Sequence, residues 1–132
     1  MQIIFLGACD LASITREGKL NIIGIFRQIF VRQLPTSYVK FTIVAIVNGN
    51  ENQSHGIKLQ ITDPAGEQIM QQQVEVKIGA AGSANLFFEI VNLPIKSTGN
   101  YNIQLFESKK EIGSSLVTVL KVNSSASPQT VN

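Results

Sequence analysis

Apolar and polar side chains alternate at every second position along much of this chain, which is the period of a β-strand and not that of a helix. The pattern is clearest from Ile57 to Thr62 and from Gln73 to Ile78. The segments Val39 to Val47 and Tyr101 to Leu105 show the same period. No segment keeps a helical period for more than about two turns. The sequence therefore predicts an all-β fold.

Turn residues separate these segments and set the layout that we predict. They occur at Glu17-Gly18, at Asn48-Gly49-Asn50 and at Asp63-Pro64-Ala65-Gly66, and their spacing indicates a meander of hairpins. Parallel sheets need crossover helices, for which the pattern gives no support. We predict an antiparallel two-layer β-sandwich of about seven to nine strands, with an open barrel as the alternative.

Tyr101 follows a turn at the start of a late strand, in the segment Ser97-Thr98-Gly99-Asn100-Tyr101. Immunoglobulin-like domains place a tyrosine at this point and bond its hydroxyl to nearby backbone. We therefore expect an immunoglobulin-like sandwich with a tyrosine corner. A ligand-facing tyrosine is the alternative interpretation.

Length and composition predict one domain. The chain has 132 residues, of which 44% are hydrophobic, and this is enough for a core without disulfides. We assign residues 1–122 to a single β-sandwich and residues 123–132, which are polar and without pattern, to a disordered tail. The single cysteine, Cys9, has no partner for a disulfide, which favours a reducing, cytoplasmic location and a buried thiol. No apolar run reaches the ~20 residues of a membrane span.

Charge and residue counts argue against several functions. The net charge is +2 and the basic residues are scattered, with Lys109-Lys110 the only adjacent pair, so we expect no nucleic-acid binding. The chain has one histidine and one cysteine, too few for a clustered metal site or a nucleophile–base pair of the usual kind. We expect no enzyme activity, no metal and no cofactor.

A catalytic alternative uses His55, which we place in a polar loop and interpret as a solvated surface residue. A hydrolase would need His55 to meet a nucleophile and an acid, for which Cys9 and Asp10 are candidates, or would use carboxylates that converge in space. The chain lacks a Gly-x-Ser-x-Gly nucleophile motif. We expect Asp10 to cap a turn or accept backbone hydrogen bonds rather than act in catalysis.

A second alternative is a lipid-anchored envelope protein. Leu6-Gly7-Ala8-Cys9 has the form of a lipoprotein cleavage site, in which the cysteine becomes lipidated. Met1 to Phe5 contains no positive charge and is shorter than the ~7 to 15 apolar residues of a signal peptide. A buried first strand is the simpler interpretation, and a longer precursor would strengthen the other.

Several segments resemble a family of small bacterial proteins known only as a domain of unknown function. They are Cys9-Asp10, Gly18 to Phe26, Pro35, Asp63 to Gly66 and Gly99-Asn100-Tyr101, and Gly18 to Phe26 is the most distinctive. The resemblance extends over residues 1 to about 122. It implies a bacterial β-sandwich, and it supplies no activity and no functional residue.

The first third of the chain is apolar on both faces of its predicted strands. Ile3 and Phe5 alternate with Ile4 and Leu6, and a similar run follows from Leu20 to Phe26. The outer face of a sandwich normally meets water, so something must cover the outward side chains. A crossing segment of the same chain, Ile29 to Leu34, is one candidate cover, and a second subunit or partner strand is the other.

Two outward phenylalanines on neighbouring strands, Phe87 and Phe106, are predicted to form a sticky patch. We predict a binding, scaffolding or assembly module that acts through apolar strand surfaces and takes a protein partner or associates with itself. The candidate interface residues are Ile4, Leu6, Ile23, Ile25, Phe30, Phe87 and Phe106.

Overall fold

The computed structural model describes residues 1–122, which form nine β-strands in two packed sheets and contain no helix. Sheet A has the strand order β2-β1-β4-β7, and sheet B has the order β3-β9-β8-β5-β6. The predicted all-β, immunoglobulin-like two-layer sandwich is confirmed, and the tail predicted for residues 123–132 lies outside the described residues. The strands are β1 (Gln2–Ile14), β2 (Leu20–Phe26), β3 (Gln28–Val31), β4 (Thr36–Asn48), β5 (Ser54–Thr62), β6 (Gln68–Lys77), β7 (Ser83–Ile95), β8 (Gly99–Glu107) and β9 (Lys110–Lys121).

The strands do not follow one another as a meander, so that prediction was wrong. Hairpins join β1 to β2, β5 to β6 and β8 to β9, whereas the chain changes sheets after β2, β3, β4, β6 and β7. Turn residues mark where a chain reverses, and they do not specify whether the next strand lies alongside or in the opposite layer. One pair, β3 with β9, is parallel, an exception to the predicted antiparallel arrangement.

The core lies between the sheets and takes the apolar half of each alternating segment. Ile57, Leu59 and Ile61 from β5 face Phe41 and its neighbours on β4, and each is at most 1% exposed. Tyr101 begins β8 and is also buried. Its hydroxyl donates to the carbonyl of Ser97 at 2.8 Å, which confirms the tyrosine corner and ties β8 to the preceding turn.

One end of sheet A extends beyond the rest of the sandwich. Strand β1 pairs with β4 only as far as Cys9, opposite Thr42, but it pairs with β2 as far as Ile14, opposite Leu20. Residues 10–14 and 20–24 therefore form a two-stranded segment, here called the β1–β2 ribbon. A two-stranded hairpin is at best marginally stable alone in water. This ribbon positions the candidate site.

Candidate functional site

The side of sheet A that is turned away from the core carries apolar side chains on all four strands. In register, Leu11 lies beside Ile23 and Val44 lies beside Phe87. Leu11, Ile23 and Ile25 are 55%, 51% and 56% exposed, and Phe87 is 40% exposed. We call this surface the outer apolar face. It consists of Phe5, Cys9, Leu11, Ile23, Ile25, Val44, Ile46 and Phe87.

Two residues of the outer apolar face are buried although residues 1–122 form no second layer over them. Cys9 is 1% and Val44 is 0% exposed, and neither belongs to the core between the sheets. The ring of Phe5 lies over Gly7, which pairs with Val44, and a Cβ on Gly7 would come within 2.8 Å of the Phe5 Cζ. Burial raises the pKa of the Cys9 thiol. The predicted buried thiol is confirmed, although it lies on the outer side of sheet A.

A β-bulge in β1 corrects the predicted faces of its first residues. The register shifts between Ile3, opposite Val47, and Phe5, opposite Ile46. One inserted residue reverses the alternation, so Leu6 packs against the core, where we had predicted it to face outward. Phe5 takes the outward position instead. Ile4 lies in the bulge and is 52% exposed, as predicted for a surface residue.

The segment Ile29 to Leu34 does not cover sheet A, so that candidate cover is excluded. Ile29 and Val31 belong to β3 in sheet B and are buried in the core at 4% and 9% exposure. Phe30, between them, points to the outer side of sheet B beside Leu120. The first strands are therefore apolar on both faces with nothing from residues 1–122 lying over Ile23 or Ile25.

The predicted patch of Phe87 and Phe106 does not form, because the two rings lie on opposite sheets. The chain changes sheets between β7 and β8, which places Phe87 on sheet A and Phe106 on sheet B. Phe106 is partly buried, and the Lys58 ammonium lies 5.3 Å from the centre of its ring. Phe87 therefore belongs to the outer apolar face, whereas Phe106 lies on sheet B next to the Lys58 ammonium.

His55 is not the solvated loop residue that we predicted. It lies on β5 with its side chain 12% exposed, and its Nδ1 is bonded to Oε2 of Glu107 on β8. Its Nε2 is buried and has no hydrogen-bond partner among the described residues. Cys9 and Asp10 lie in sheet A and do not meet it. The His55–Glu107 pair supplies a base and an orienting acid, but no nucleophile among the described residues is in contact with it. The pair lies at one end of the core.

Asp10 does not cap a turn, which was one of the two roles that we expected for it. It lies inside β1 opposite Gly24, whose φ is +72°. A Cβ on Gly24 would lie 2.9 Å from the Asp10 Cγ, so the carboxyl occupies the space that the glycine leaves. Burial and, secondarily, the Asp10 charge raise the pKa of Tyr38 on β4.

Sequence reasoning missed Leu11, one of the most exposed members of the outer apolar face. The predicted alternation, with Ile4 and Leu6 outward, would have turned Leu11 inward, and it is the bulge after Ile3 that places Leu11 on the outer side beside Ile23. The charged side chains on the same side of sheet A, Lys40 and Glu89, pair with one another at 3.4 Å. A partner would therefore meet mainly apolar side chains on this surface, because its two charged side chains are already paired.

Residues 1–122 contain no group of three or more His, Cys, Asp or Glu side chains placed to hold a metal ion. Within the same residues, there is no helix of the length and apolar character that crossing a bilayer requires. A precursor cut before Cys9 would lose Gln2 to Ala8 and with them most of the pairing between β1 and β4. The lipid-anchor alternative remains a prediction that nothing here tests.

A family model described as a family of unknown function, DUF6941, matches residues 3–120. This range covers nearly all of the two sheets and agrees with the resemblance found in the sequence. No curated protein matches the chain.

Solved structures resemble the chain at low sequence identity. An immunoglobulin-like protein from Pseudomonas aeruginosa has a TM-score of 0.47 at 14% identity, with 90% of this chain and 95% of that chain covered. A Pseudomonas fluorescens alkylpurine DNA glycosylase bound to DNA has a TM-score of 0.48 at 9% identity, covering 86% of this chain and 30% of that chain. A Listeria innocua β-glucosidase has a TM-score of 0.48 at 9% identity, covering 90% and 16%. We draw no functional argument from these similarities.

Proposed function

For a chain that belongs to the family of unknown function DUF6941, we propose a non-enzymatic binding and assembly module whose outer apolar face docks on another protein. One observation carries the proposal. Leu11, Ile23, Ile25 and Phe87 are large apolar side chains, 40% to 56% exposed, on the side of a sheet where alternation normally places polar residues. These four side chains lie on β2, β1 and β7 around Cys9 and Val44, and together they form one surface.

Burying this surface supplies part of the free energy that a specific complex needs. Fully burying a large apolar side chain is worth about 1.5–3 kcal/mol, so burying the exposed half of each of these four contributes about 4 kcal/mol together. Lys40 and Glu89 neutralise one another beside the apolar area. We therefore propose a partner with an apolar centre and an uncharged or mixed polar rim, as protein interfaces commonly have.

Catalysis is not part of the proposal. His55 has an orienting carboxylate in Glu107 but no hydroxyl or thiol bonded to its Nε2 among the described residues. A base without a nucleophile or a bound metal does not constitute the sites from which hydrolases are built. The buried, unpaired Cys9 thiol is compatible with the reducing cytoplasm, where we propose that the protein works.

Photo-crosslinking from two matched positions tests the proposal. A benzophenone amino acid replaces Phe87 in one variant and Phe106 in the other, since both are outward phenylalanines but lie on opposite sheets. We expect a discrete protein adduct from position 87 and none from position 106 in the cells that produce the protein. Equal adducts from both positions, or none from either, would contradict the proposed face.

Polar substitutions on the same face provide the second arm. We expect Ile23→Thr combined with Ile25→Thr to abolish the position-87 adduct while the fold persists, because threonine keeps the branched shape that suits a strand. Leu116→Thr is the matched control, since Leu116 is 46% exposed on β9, in the opposite sheet. An adduct that survives the double substitution would show that the face does not bind the partner.

A further inference from the structure

The β1–β2 ribbon exposes apolar side chains on both of its sides. On the outer side Leu11 lies opposite Ile23, and Leu11 is 55% exposed. The other side, here called the inner side of the ribbon, continues the side on which Ala8 and Phe26 meet the core. It carries Ala12, Ile14, Leu20 and Ile22. Ile14 is 46% exposed, so large apolar side chains meet solvent on each side of the ribbon.

The inner side of the ribbon has no layer to pack against in the described part of the chain. None of its four apolar residues belongs to the core between the sheets or packs against it, whereas Ala8 does belong to that core. The polar residues of the ribbon are Asp10, Ser13 and Asn21. Strands that are apolar on both sides are typical of sheets that are covered on both sides. The ribbon therefore has the composition of a segment that functions with both sides covered.

The tip of the ribbon is a hydrogen-bonded, positively charged turn. The Thr15 N–H donates to the Lys19 carbonyl at 2.8 Å, and the Lys19 N–H donates to the Thr15 Oγ1 at 3.0 Å. Gly18, with a φ of +83°, completes the turn. Arg16 and Lys19 outnumber Glu17 at this tip, and all three are exposed. Neither of the two ion pairs among residues 1–122 involves them. The tip is therefore pre-organised and carries a net positive charge.

We propose that the ribbon inserts into an apolar cleft of the protein partner, so that the partner covers both of its sides and meets its tip with acidic residues. The inference rests on the proposed function, because it specifies the shape and the charge of the site that the partner offers. Apolar walls match Leu11 and Ile14 on opposite sides of the ribbon. Carboxylates at the closed end of the cleft match Arg16 and Lys19. Enclosure also stabilises a two-stranded segment that is marginal alone in water.

The chemistry of the ribbon favours a protein cleft over a lipid bilayer. A bilayer would receive the tip first, and its three charged side chains are costly to place in hydrocarbon. Strand β2 is also the edge of sheet A, so its outer row of backbone groups would have no hydrogen-bond partners in hydrocarbon. A protein cleft can supply carboxylates to the tip and polar groups or a strand to this edge.

Photo-crosslinking from the two sides of the ribbon, in the cells that produce the protein, tests the insertion. A benzophenone amino acid replaces Ile14 in one variant and Ile23 in another, and mass spectrometry identifies the crosslinked peptides. We expect both positions to label the same protein, at two separate segments that form the walls of its cleft. An adduct from position 23 without one from position 14, or adducts with two different proteins, overturns the insertion and retains the proposed function. Adducts from neither position, or from position 14 alone, overturn both.

Charge reversal at the tip tests the acidic end of the cleft. Arg16→Glu combined with Lys19→Glu should lower the yield of the position-23 adduct about tenfold, because attraction to the carboxylates becomes repulsion. Lys109→Glu combined with Lys110→Glu is the matched control, since both lysines are exposed at the turn between β8 and β9 of sheet B, and it should leave the yield unchanged. Equal yields from the two double variants contradict the acidic end.

Cosedimentation of the purified chain with phosphatidylserine vesicles tests the lipid alternative. We expect the chain to remain in the supernatant. Binding to the vesicles that is lost in Arg16→Glu combined with Lys19→Glu, together with the absence of a protein adduct from positions 14 and 23, would overturn the protein cleft in favour of a membrane surface.

Discussion

The two sheets share one core, but parts of their outer faces differ in chemistry. Over β5, β6 and β8 the outward side chains of sheet B are mostly polar, Phe106 excepted, and some bond to one another: the Thr62 Oγ1 lies 3.2 Å from Gln104 Oε1, and the Gln104 amide donates to Glu111 at 2.6 Å. On the outer side of sheet A large apolar side chains are exposed, as at Leu11 and Ile23, although the ion pair of Lys40 and Glu89 lies on the same side. Contact with water explains the polar side chains on the outer side of sheet B. Exposed apolar side chains are typical of a surface that another protein covers, and we interpret the outer side of sheet A in that way.

The largest expected difference in stability is between substitutions of two neighbouring phenylalanines on β7. Phe88 faces the core at 1% exposure, and Phe87 faces outward at 40%. We expect Phe88→Ala to lower the free energy of unfolding by about 3–5 kcal/mol, because it leaves a cavity in a packed core. Phe87→Ala in the isolated chain should cost about 1 kcal/mol. Urea denaturation measures both, and equal losses would show that the outer apolar face is already covered.

Two strand glycines compare the sheets at the level of the backbone. Gly24→Ala in β2 should destabilise the protein by about 1–2 kcal/mol, because φ is +72° and the new Cβ meets the carboxyl of Asp10. Gly56→Ala on β5 is the matched control, since no atom lies within 4 Å of its Cβ position. We expect it to be neutral or slightly stabilising. Thermal unfolding of the two variants checks this, and a harmless Gly24→Ala would contradict the described strand geometry.

Exchanging the chemistry of the two outer faces sharpens the comparison. Ile23→Thr on sheet A should raise the ammonium sulfate concentration at which the protein precipitates, and Gln104→Ile on sheet B should lower it. Both should change the free energy of unfolding by less than about 0.5 kcal/mol, because the positions lie outside the core. If Ile23→Thr has no effect on precipitation, the face is not accessible in the free protein.

The smallest expected effect on stability concerns the buried thiol of Cys9, which belongs to the outer apolar face. Folding raises the pKa of Cys9 above its ordinary value of 9.0. The unfolded chain therefore releases this proton more readily, so its stabilising contribution is complete below pH 9 and is lost as pH rises through the folded pKa. We expect the free energy of unfolding to fall less steeply above pH 9 in Cys9→Ala than in the wild type. Identical pH slopes in urea titrations would contradict the buried environment.

The sequence predicts the parts of the fold that depend on local pattern. The alternation at Ile57 to Thr62 places the core side chains correctly, and the turn before Tyr101 predicts the tyrosine corner. The apolar character of both faces of β2 predicts Ile23 and Ile25 as exposed surface. Each of these features depends on residues that are close together in the chain, so period and turn chemistry are sufficient.

Features that depend on distant residues were not predictable. The bulge after Ile3 inserts one residue into a uniformly apolar run, where no change of pattern marks it, and it moves Leu6 into the core. The pair of His55 and Glu107 joins positions 52 residues apart. Whether the chain changes sheets after a turn depends on how the two layers pack, and this separated Phe87 from Phe106.

Photo-crosslinking from position 23, compared with position 116, tests the central claim most directly, namely that the outer apolar face of sheet A is an interface. Ile23 on β2 is 51% exposed and Leu116 on β9 is 46% exposed, and the two lie on opposite sheets. We expect a discrete adduct with another protein from a benzophenone amino acid at position 23 and none from position 116. Equal adducts from both positions, or none from either, would contradict the account.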